Sequence, residues 1–224
     1  MKVTLFVPTV NEIVGAKAIM PRIKKEWIDE IIVVDGGSTD GTCEYFEQLG
    51  ARIIHQKSRG ICGAYWECIE AAQGDIIIAF SPDNNSVPEL IPAVIAKMKE
   101  GNDMTIVSRY CEGAKSEDDD FVTALGNWMF TGLVNLLFRG HYTDVLVMFR
   151  AFRKDLVERL HLDPTERQPV LEMLLCIRCA KYDLKVADIP GDEPKRIGSA
   201  RKMSPLYNGS CLLLCILKET CKRH

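Results

Sequence analysis

Three polar clusters in the first ninety residues carry side chains suited to binding an anionic ligand or a metal ion. They occupy residues 8–12, 35–42 and 81–88, and each follows a run of apolar residues. In an open α/β sheet, ligands bind beyond the carboxyl ends of the strands. If the apolar runs are strands of one sheet, the three clusters meet at a single site.

The second cluster begins with a carboxylate at the end of an apolar run. A buried carboxylate such as Asp35 is costly unless it is paired or hydrogen-bonded, and the glycines after it allow a ligand to approach the backbone closely. We therefore interpret Asp35 as a ligand-binding residue, with a turn-forming function as the alternative. Asp40 is interpreted as the cap of a helix that begins at Thr42.

The third cluster has the oxygen ligands that a hard divalent cation prefers. Asp83 is followed by Asn84 and Asn85, and a carboxylate with amide oxygens suits a metal that keeps water and phosphate oxygens as further ligands. An ordinary Asx turn explains the same three residues equally well.

The elements that must position these clusters are predicted from the apolar runs. The runs are continuous and rich in β-branched residues, which is typical of parallel strands buried on both faces. Strands are predicted at 3–7, 31–34, 52–55, 76–80 and 104–108, with helices at 42–49, 61–72 and 88–99. This alternation favours an open, doubly wound α/β sheet.

The pattern changes after residue 110. An acidic loop at 112–120 is followed by predicted helices at 123–138, 154–160 and 166–180, strands at 145–149 and 185–189, a basic loop at 190–205 and a last helix at 206–220. We find no composition break, so we expect a single domain over 1–224, with the basic loop and last helix at about 190–224.

The composition is that of a globular protein, and positive charge is concentrated near the carboxyl-terminal end of the sequence. The 224 residues are 47% hydrophobic and 26% charged, which excludes a disordered chain. Residues 194–224 carry seven Lys or Arg and one Glu, so they hold +6, whereas the remainder holds −9 of the net −3. The basic end is explained either by an anionic ligand or surface or by a solvated tail.

The start of the chain and its cysteines predict a cytoplasmic protein. The first apolar stretch is too short for a signal peptide, and nine scattered cysteines indicate reduced thiols. Cys176 and Cys179 are interpreted as inert. No apolar run reaches the ~18 residues of a membrane span, so we expect a soluble or peripheral protein.

The polar clusters match a set of known motifs. Residues 8–12 match P-x-x-N-E, residues 34–42 match D-D/G-x-S-x-D-G-T, Ser81-Pro82-Asp83 falls where a D-x-D is expected, and Ser108-Arg109-Tyr110 and Phe149-Arg150 match G-S-R-Y and G-F-R. In combination they resemble the family 2 glycosyltransferases, and most of all the dolichol-phosphate mannosyltransferase-like and polyprenyl-phosphate glycosyltransferase group. The resemblance implies the glycosyltransferase-A fold, an α/β fold with an open, mostly parallel Rossmann-like sheet flanked by helices.

The resemblance also implies binding residues for a nucleotide sugar, UDP- or GDP-linked. The residues that would hold its base and ribose are Pro8, Thr9, Glu12 and Asp35. The residues of the basic loop that would close over its phosphates include Arg196 and Lys202.

The same resemblance implies the catalytic residues Asp83, Arg109 and Arg150. Asp83, with Asn85, would hold Mg²⁺ or Mn²⁺, while the two arginines would line the place where donor phosphate and acceptor meet. Negative charge grows on the leaving nucleoside diphosphate, so a metal and cations stabilise the transition state. Structural salt bridges are the alternative for both arginines.

Departures from the motifs leave the acceptor and the metal open. Ser81 replaces the first Asp of D-x-D, which removes one carboxylate, and residues 147–148 replace a usual Ser-Gly. No E-D pair or Q-x-x-R-W is found, and a lipid phosphate needs no general base because it is already an anion. We therefore expect a polyprenyl phosphate acceptor at a membrane surface.

Several alternatives to that acceptor remain. One is a saccharide or other soluble acceptor, with Asp144 or a residue of 118–120 as base, and another is a non-catalytic nucleotide-sugar binding protein. No nucleic acid partner is expected, a P-loop is excluded by the missing motif, and homo-oligomerisation is left open.

The last predicted helix allows two interpretations. Its apolar residues are followed by Lys218, Lys222 and Arg223, so it can lie on an anionic membrane surface. Alternatively its apolar face packs on the sheet, and this is the interpretation that we favour.

Overall fold

The computed structural model describes residues 1–164, 171–198 and 205–222, with the side chains of residues 205 and 206 left out. Their seven strands form one sheet in the order β3-β2-β1-β4-β6-β5-β7. The strands are β1 (Val3–Thr9), β2 (Glu30–Asp35), β3 (Arg52–His55), β4 (Ile76–Ala79), β5 (Met104–Ser108), β6 (Arg150–Arg153) and β7 (Val186–Pro190). The sheet and its flanking helices confirm the predicted fold class.

Helices cover both faces of this sheet. They are α1 (Ile13–Ile19), α2 (Thr42–Gln48), α3 (Gly60–Ala71), α4 (Ile91–Lys99), α5 (Phe121–Phe138), α6 (Leu156–Arg159), α7 (Leu171–Lys181) and α8 (Pro205–Cys221). Short 3-10 turns at Met20–Arg22, Lys25–Trp27 and Pro88–Leu90 join some of them. The largest fully buried side chains of the core include Phe6, Phe46, Tyr65, Phe80 and Phe152.

The amino-terminal half follows the predicted pattern. Strands β1, β2, β3 and β4 are all parallel, and β1 lies between β2 and β4. The register sets Thr9 opposite Asp35, so the ends of β1 and β2 lie side by side. Helix α1 was not predicted. It contains Gly15, a poor helix former, because a Cβ there would lie 2.6 Å from the Pro82 carbonyl oxygen.

The predicted strand at 145–149 is wrong, because the strand begins at Arg150. Strand β6 runs antiparallel between β4 and β5. Residues 145–149 are irregular, and the N–H groups of Leu146 and Val147 donate to the Asp144 carboxylate at 3.1 and 3.0 Å. These donors serve a side chain, so no strand ladder forms there.

Helix α8 packs against the body through part of its surface. Leu212, Cys215 and Ile216 are buried, so the apolar face packs inward as expected, but mainly against α5 and α7, where the sequence favoured the sheet. At its far end, Glu219 accepts a hydrogen bond from Arg178 at 3.0 Å. Helix α7, which carries Arg178, was predicted from residue 166, and residues 165–170 lie outside the described part of the chain.

Helix α5 is longer and more apolar than the sequence reading implied. Its 18 residues have a mean hydropathy of 1.4, so by length and composition this helix is sufficient to cross a membrane. Only 28% of it is buried. Its polar interruptions are Gly, Thr and Asn, which break the apolar run without adding a charge.

Candidate active site

The Asp35 carboxylate is held by the backbone of its own loop. Its oxygens accept hydrogen bonds from the N–H groups of Gly37 and Ser38 at 3.0 Å, and from the Thr9 hydroxyl at 3.3 Å. Asp35 is 3% exposed. Burial raises the pKa of this carboxyl, but the bonds from Ser38 and Gly37 outweigh it, so that the pKa is lowered. The residue is an anion at neutral pH, positioned at the ends of β1 and β2.

The first two clusters form one unit. The Asn11 amide oxygen accepts from the Thr39 N–H at 2.8 Å, and the Asn11 N–H donates to the Ser38 hydroxyl at 2.8 Å. Asp40 accepts from the N–H groups of Ile13 and Thr42, the first residues of α1 and α2. The cap residue of α2 itself is Gly41. Asp40 therefore joins two helices, where the sequence predicted a cap for one.

Asp83 and Asn85 form a buried oxygen pair at the end of β4. One oxygen of Asp83 accepts from the Ser81 hydroxyl at 2.5 Å and from the Asn85 N–H at 3.1 Å. The Asn85 side-chain oxygen is buried and has no hydrogen-bond partner in the described residues. An orphaned buried oxygen beside a carboxylate is the environment that a hard divalent cation satisfies, so the two residues fit the predicted metal.

The described part of the basic loop lies on this pair. The Ile197 N–H donates to the Asp83 carbonyl at 2.7 Å, and the Arg196 guanidinium lies 3.6 Å from the Asp83 carboxylate. Arg196 also binds Asp118 of the acidic loop, at 2.9 Å. The predicted residue Lys202 lies outside the described residues.

Arg109 is the centre of a buried ionic network. Its guanidinium binds Asp144 through two nitrogens, at 2.7 and 3.2 Å, and it reaches Asp119 at 3.1 Å and Glu193 at 3.3 Å. Arg109 is 7% exposed and Asp144 is 0% exposed. Three carboxylates already bind this cation, and its position beside the donor phosphate stays a prediction.

Arg150 is buried completely. It donates to the carbonyl groups of Val145, Val147 and Glu172, with the last at 2.8 Å. Its guanidinium binds backbone oxygens and ties the irregular segment 145–149 to the first turn of α7. That it lines the place of transfer stays a prediction. The salt-bridge alternative describes Arg109, whereas Arg150 binds backbone carbonyl oxygens.

A large cavity of about 1010 Å³ opens beside the strand ends. Of the predicted site residues, Pro8, Thr9 and Glu12 line it directly. Asp35 and Asp83 do not, although Gly36 and Ser81, one and two residues away from them in sequence, do. The cavity thus brings residues of all three clusters to one place.

Other lining residues were not predicted. Lys57 and Arg59, from the loop before α3, supply two cations, and Glu172 supplies a carboxylate. Burial raises the pKa of the Glu172 carboxyl. The position of 57–59 directly after a predicted strand was a usable signal for the cations, whereas no motif marked Glu172.

A second, apolar groove of about 540 Å³ runs between α5 and α8. Its walls include Val122, Met129 and Leu133 of α5 and Leu213 of α8. Leu146, Asn208 and Leu212 line both this groove and the larger cavity. The two spaces are therefore adjacent.

The family is shown by a match that covers most of the chain. Residues 4–160 match the model of glycosyl transferase family 2. The chain belongs to glycosyl transferase family 2. This confirms the resemblance drawn from the motifs, and it accounts for the polar clusters at the carboxyl ends of β1, β2 and β4.

Two relatives of this family 2 chain carry names that describe an activity. A dolichol-phosphate mannosyltransferase from Pyrococcus furiosus is 31% identical over 200 residues, which cover 85% of this chain and 56% of that protein. An undecaprenyl-phosphate mannosyltransferase from Micrococcus luteus is 24% identical over 217 residues, covering 91% and 88%. This chain thus spans little more than half the length of the Pyrococcus protein.

Solved structures show the same fold. Glucosyl-3-phosphoglycerate synthase from Mycobacterium tuberculosis, in complex with Mn²⁺, UDP and glucosyl-3-phosphoglycerate, superposes with a TM-score of 0.72 at 20% identity. The match covers 100% of this chain and 81% of that one. The same synthase has also been solved with Mg²⁺ and UDP. At this identity the likeness establishes the glycosyltransferase-A fold of the family 2 chain.

Proposed function

We propose that this chain transfers a sugar from a UDP- or GDP-linked donor to a polyprenyl phosphate, with inversion and with Mg²⁺ or Mn²⁺. The observation that carries the proposal is that the apolar groove shares Leu146, Asn208 and Leu212 with the larger cavity, whose wall includes Lys57 and Arg59. A polyprenyl chain has room between α5 and α8 while its phosphate reaches the cavity. The names of the Pyrococcus and Micrococcus relatives support the same acceptor class.

In this proposal the ends of β1 and β2 hold the nucleoside. Pro8, Thr9 and Glu12 line the cavity, and Asp35 is an anion fixed by the N–H groups of its own loop. A fixed carboxylate accepts hydrogen bonds from a base or a ribose without having to reorganise. The UDP in the solved synthase structures supports a nucleotide as a ligand of this fold.

Asp83 and Asn85 would hold the metal. A bound divalent cation would neutralise the negative charge that develops on the departing nucleoside diphosphate. Arg196 lies within 3.6 Å of Asp83 and would exchange its ion pair with Asp118 for the donor's phosphates. Lys57 and Arg59 are cations of the cavity wall, and they replace Arg109 and Arg150 as the residues that would orient the acceptor phosphate.

The transfer itself then needs no general base. An oxygen of the acceptor phosphate attacks the anomeric carbon, the bond from that carbon to the donor phosphate breaks, and the nucleoside diphosphate leaves with the bonding electron pair. Attack opposite the leaving group inverts the configuration. Because the acceptor is a membrane lipid, the enzyme would work as a peripheral protein at a membrane surface.

The test uses two glycine variants of α5. A Cβ at Gly126 or at Gly132 meets no atom within 4 Å, but Gly126 lines the groove and Gly132 does not. We expect Gly126→Trp to fill the groove and lower turnover with polyprenyl phosphate at least tenfold, while UDP affinity stays unchanged. Gly132→Trp is the matched control and should retain turnover.

The assay compares radiolabelled UDP- and GDP-sugars with polyprenyl phosphate, the corresponding polyprenol and a panel of saccharides. Transfer to polyprenyl phosphate alone supports the proposal. Transfer to a saccharide alone would identify a soluble acceptor. Nucleotide binding without any transfer or donor hydrolysis would identify a non-catalytic binding protein.

A further inference from the structure

The exposed apolar side chains of the described residues are concentrated on two helices. Seven lie on α5 and four on α8, out of fourteen large apolar side chains that are exposed. They are Phe121, Val122, Leu125, Trp128, Met129, Leu136 and Leu137 of α5 and Tyr207, Leu213, Leu214 and Leu217 of α8. We call this surface the α5–α8 face. Soluble monomers rarely expose such a contiguous apolar area, and where they do it marks an interaction site.

The two helices run side by side in the same direction. The Lys181 ammonium lies 5.5 Å from the ring centroid of Phe138, the last residue of α5, and 3.2 Å from the carboxylate of Glu219 near the end of α8. Both carboxyl-terminal ends therefore meet at Lys181. The amino-terminal halves face each other across the apolar groove, so the α5–α8 face is one continuous surface.

We propose that the α5–α8 face binds the surface of a lipid bilayer, with both helices lying at the boundary between headgroups and acyl chains. Helix α5 contains no charged residue. Trp128 is 76% exposed and Tyr207 is 64% exposed, and such amphipathic rings are enriched at membrane interfaces. At the carboxyl-terminal end of α8, Lys218 and Lys222 supply cations that attract anionic headgroups, and Lys222 also lies 3.6 Å from the Glu219 carboxylate.

The inner side of α5 indicates that the helix lies on the bilayer and does not cross it. Asn127 is buried and donates to the Asp144 carboxylate at 3.0 Å, while the Thr131 hydroxyl donates to the Asn127 oxygen. Asp144 is the partner of Arg109. Moving α5 into a membrane would remove polar groups from this buried network, so only the outer side of the helix is available to lipid.

The groove distinguishes a bilayer from a second copy of the chain. It opens between α5 and α8 and shares Leu146, Asn208 and Leu212 with the cavity. A second copy seated on the face would close this opening, whereas a bilayer supplies the groove with apolar chains directly. This proposal rests on the proposed function, but it can be tested separately because vesicle binding is measured without turnover.

The experiment measures binding of the full chain to vesicles of neutral lipid and of mixed neutral and anionic lipid. A double variant, Trp128→Glu with Leu136→Glu, places two carboxylates on the face. Its matched control, Ala93→Glu with Ala96→Glu, makes the same charge change on exposed positions of α4. We expect the unmodified chain and the control to bind anionic vesicles at low salt, with weaker binding at high salt. The Trp128/Leu136 variant should bind at least about tenfold more weakly.

Fluorescence reports the depth of the contact. Lipids brominated along the acyl chain should quench tryptophan emission of the unmodified chain, and Trp128→Phe should abolish this quenching. Failure to bind anionic vesicles at low salt, or equal binding by the Trp128/Leu136 variant, would overturn the proposal. So would a dimer that this variant dissociates, since a second copy would then cover the face.

The outcomes also separate this proposal from the proposed function. Turnover is measured in parallel with a short-chain polyprenyl phosphate in detergent, where no bilayer is present. If turnover is retained and vesicles are not bound, the membrane proposal fails alone. If vesicles are bound and no sugar is transferred, the proposed function fails alone.

Discussion

The two halves of the molecule satisfy their buried charges in opposite ways. In the amino-terminal half, Asp35 takes hydrogen bonds from Gly37 and Ser38, which are two and three residues away. In the carboxyl-terminal half, Arg109 reaches Asp144 and Glu193, which are 35 and 84 residues away. The first half thus holds this carboxylate mainly with N–H groups of its own loop, with Thr9 as one distant donor, whereas the second half uses charge to connect distant segments.

Arg196 lies where these two arrangements meet. It binds Asp118 of the acidic loop at 2.9 Å and approaches Asp83 at 3.6 Å. Its ion pair is one quarter exposed on the arginine side, unlike the closed network around Arg109. A cation in this position remains exchangeable, so a ligand can compete for it.

The largest effect is expected from disrupting the buried ionic network around Arg109. Arg109→Met leaves three carboxylates without their cation, and breaking a buried pair in this way costs about 3–5 kcal/mol of unfolding free energy. Urea denaturation measures the loss. Arg22→Met is the matched control, since the Arg22–Glu89 pair is exposed and such pairs contribute about 0–1 kcal/mol. Equal losses in the two variants would contradict the bracing function of Arg109.

The next largest effect is expected at Asp83, in the amino-terminal half. Asp83→Asn keeps an acceptor for Ser81 and Asn85 but removes the charge that would hold the metal. We expect turnover to fall by about 10²-fold or more, with thermal unfolding almost unchanged. Ser81→Asp is the reciprocal variant and should reduce the Mn²⁺ concentration needed for activity. Unaltered turnover in Asp83→Asn would remove Asp83 from the metal site.

A smaller effect is expected at Asp35. Asp35→Ala should weaken UDP or GDP binding by about 1–3 kcal/mol, because a hydrogen-bonding partner is lost. Isothermal titration calorimetry measures the affinity. Asp40→Ala, in the same loop, removes bonds to Ile13 and Thr42 and should lower stability without changing affinity. If both variants bind nucleotide equally well, Asp35 does not contact it.

The smallest effect is expected at Asp118, the ion-pair partner of Arg196. Asp118→Asn releases Arg196, and a partly exposed ion pair is worth up to about 1 kcal/mol. UDP should therefore bind about two- to fivefold more tightly to this variant. Glu117→Gln makes the same charge change at an exposed position of the same loop and should leave the affinity unaltered. An identical gain in both variants would indicate a general charge effect.

The strands of the amino-terminal half were also predictable from the sequence. Strands β1 to β4 are continuous apolar runs, and parallel strands buried on both faces require that pattern. Asp35 could be interpreted as a hydrogen-bonded carboxylate because two of its donors, Gly37 and Ser38, follow within three residues. Helix α1 was missed because it contains Gly15. Glycine is needed there because Pro82 approaches the helix closely, and that contact cannot be recognised from the local sequence.

The structure of the carboxyl-terminal half was predictable only in part. Arg109 and Arg150 matched their motifs, but the groups that satisfy them are contributed by segments far along the chain, so their burial could not be read from spacing. The apolar run at 145–149 has the composition of a strand. It is irregular because Asp144 takes its N–H groups, and the partner that stabilises Asp144 is Arg109.

The position of β6 has a consequence for synthesis on the ribosome. The edge of β4 that faces away from β1 pairs with β6, and about 70 residues separate the two strands along the chain. At roughly 5–20 residues per second, this edge waits about 4–14 s for its partner. During that interval the nascent chain presents an unpaired, fully apolar strand, Ile76–Ala79. We expect this stage to depend on chaperones that bind extended hydrophobic segments.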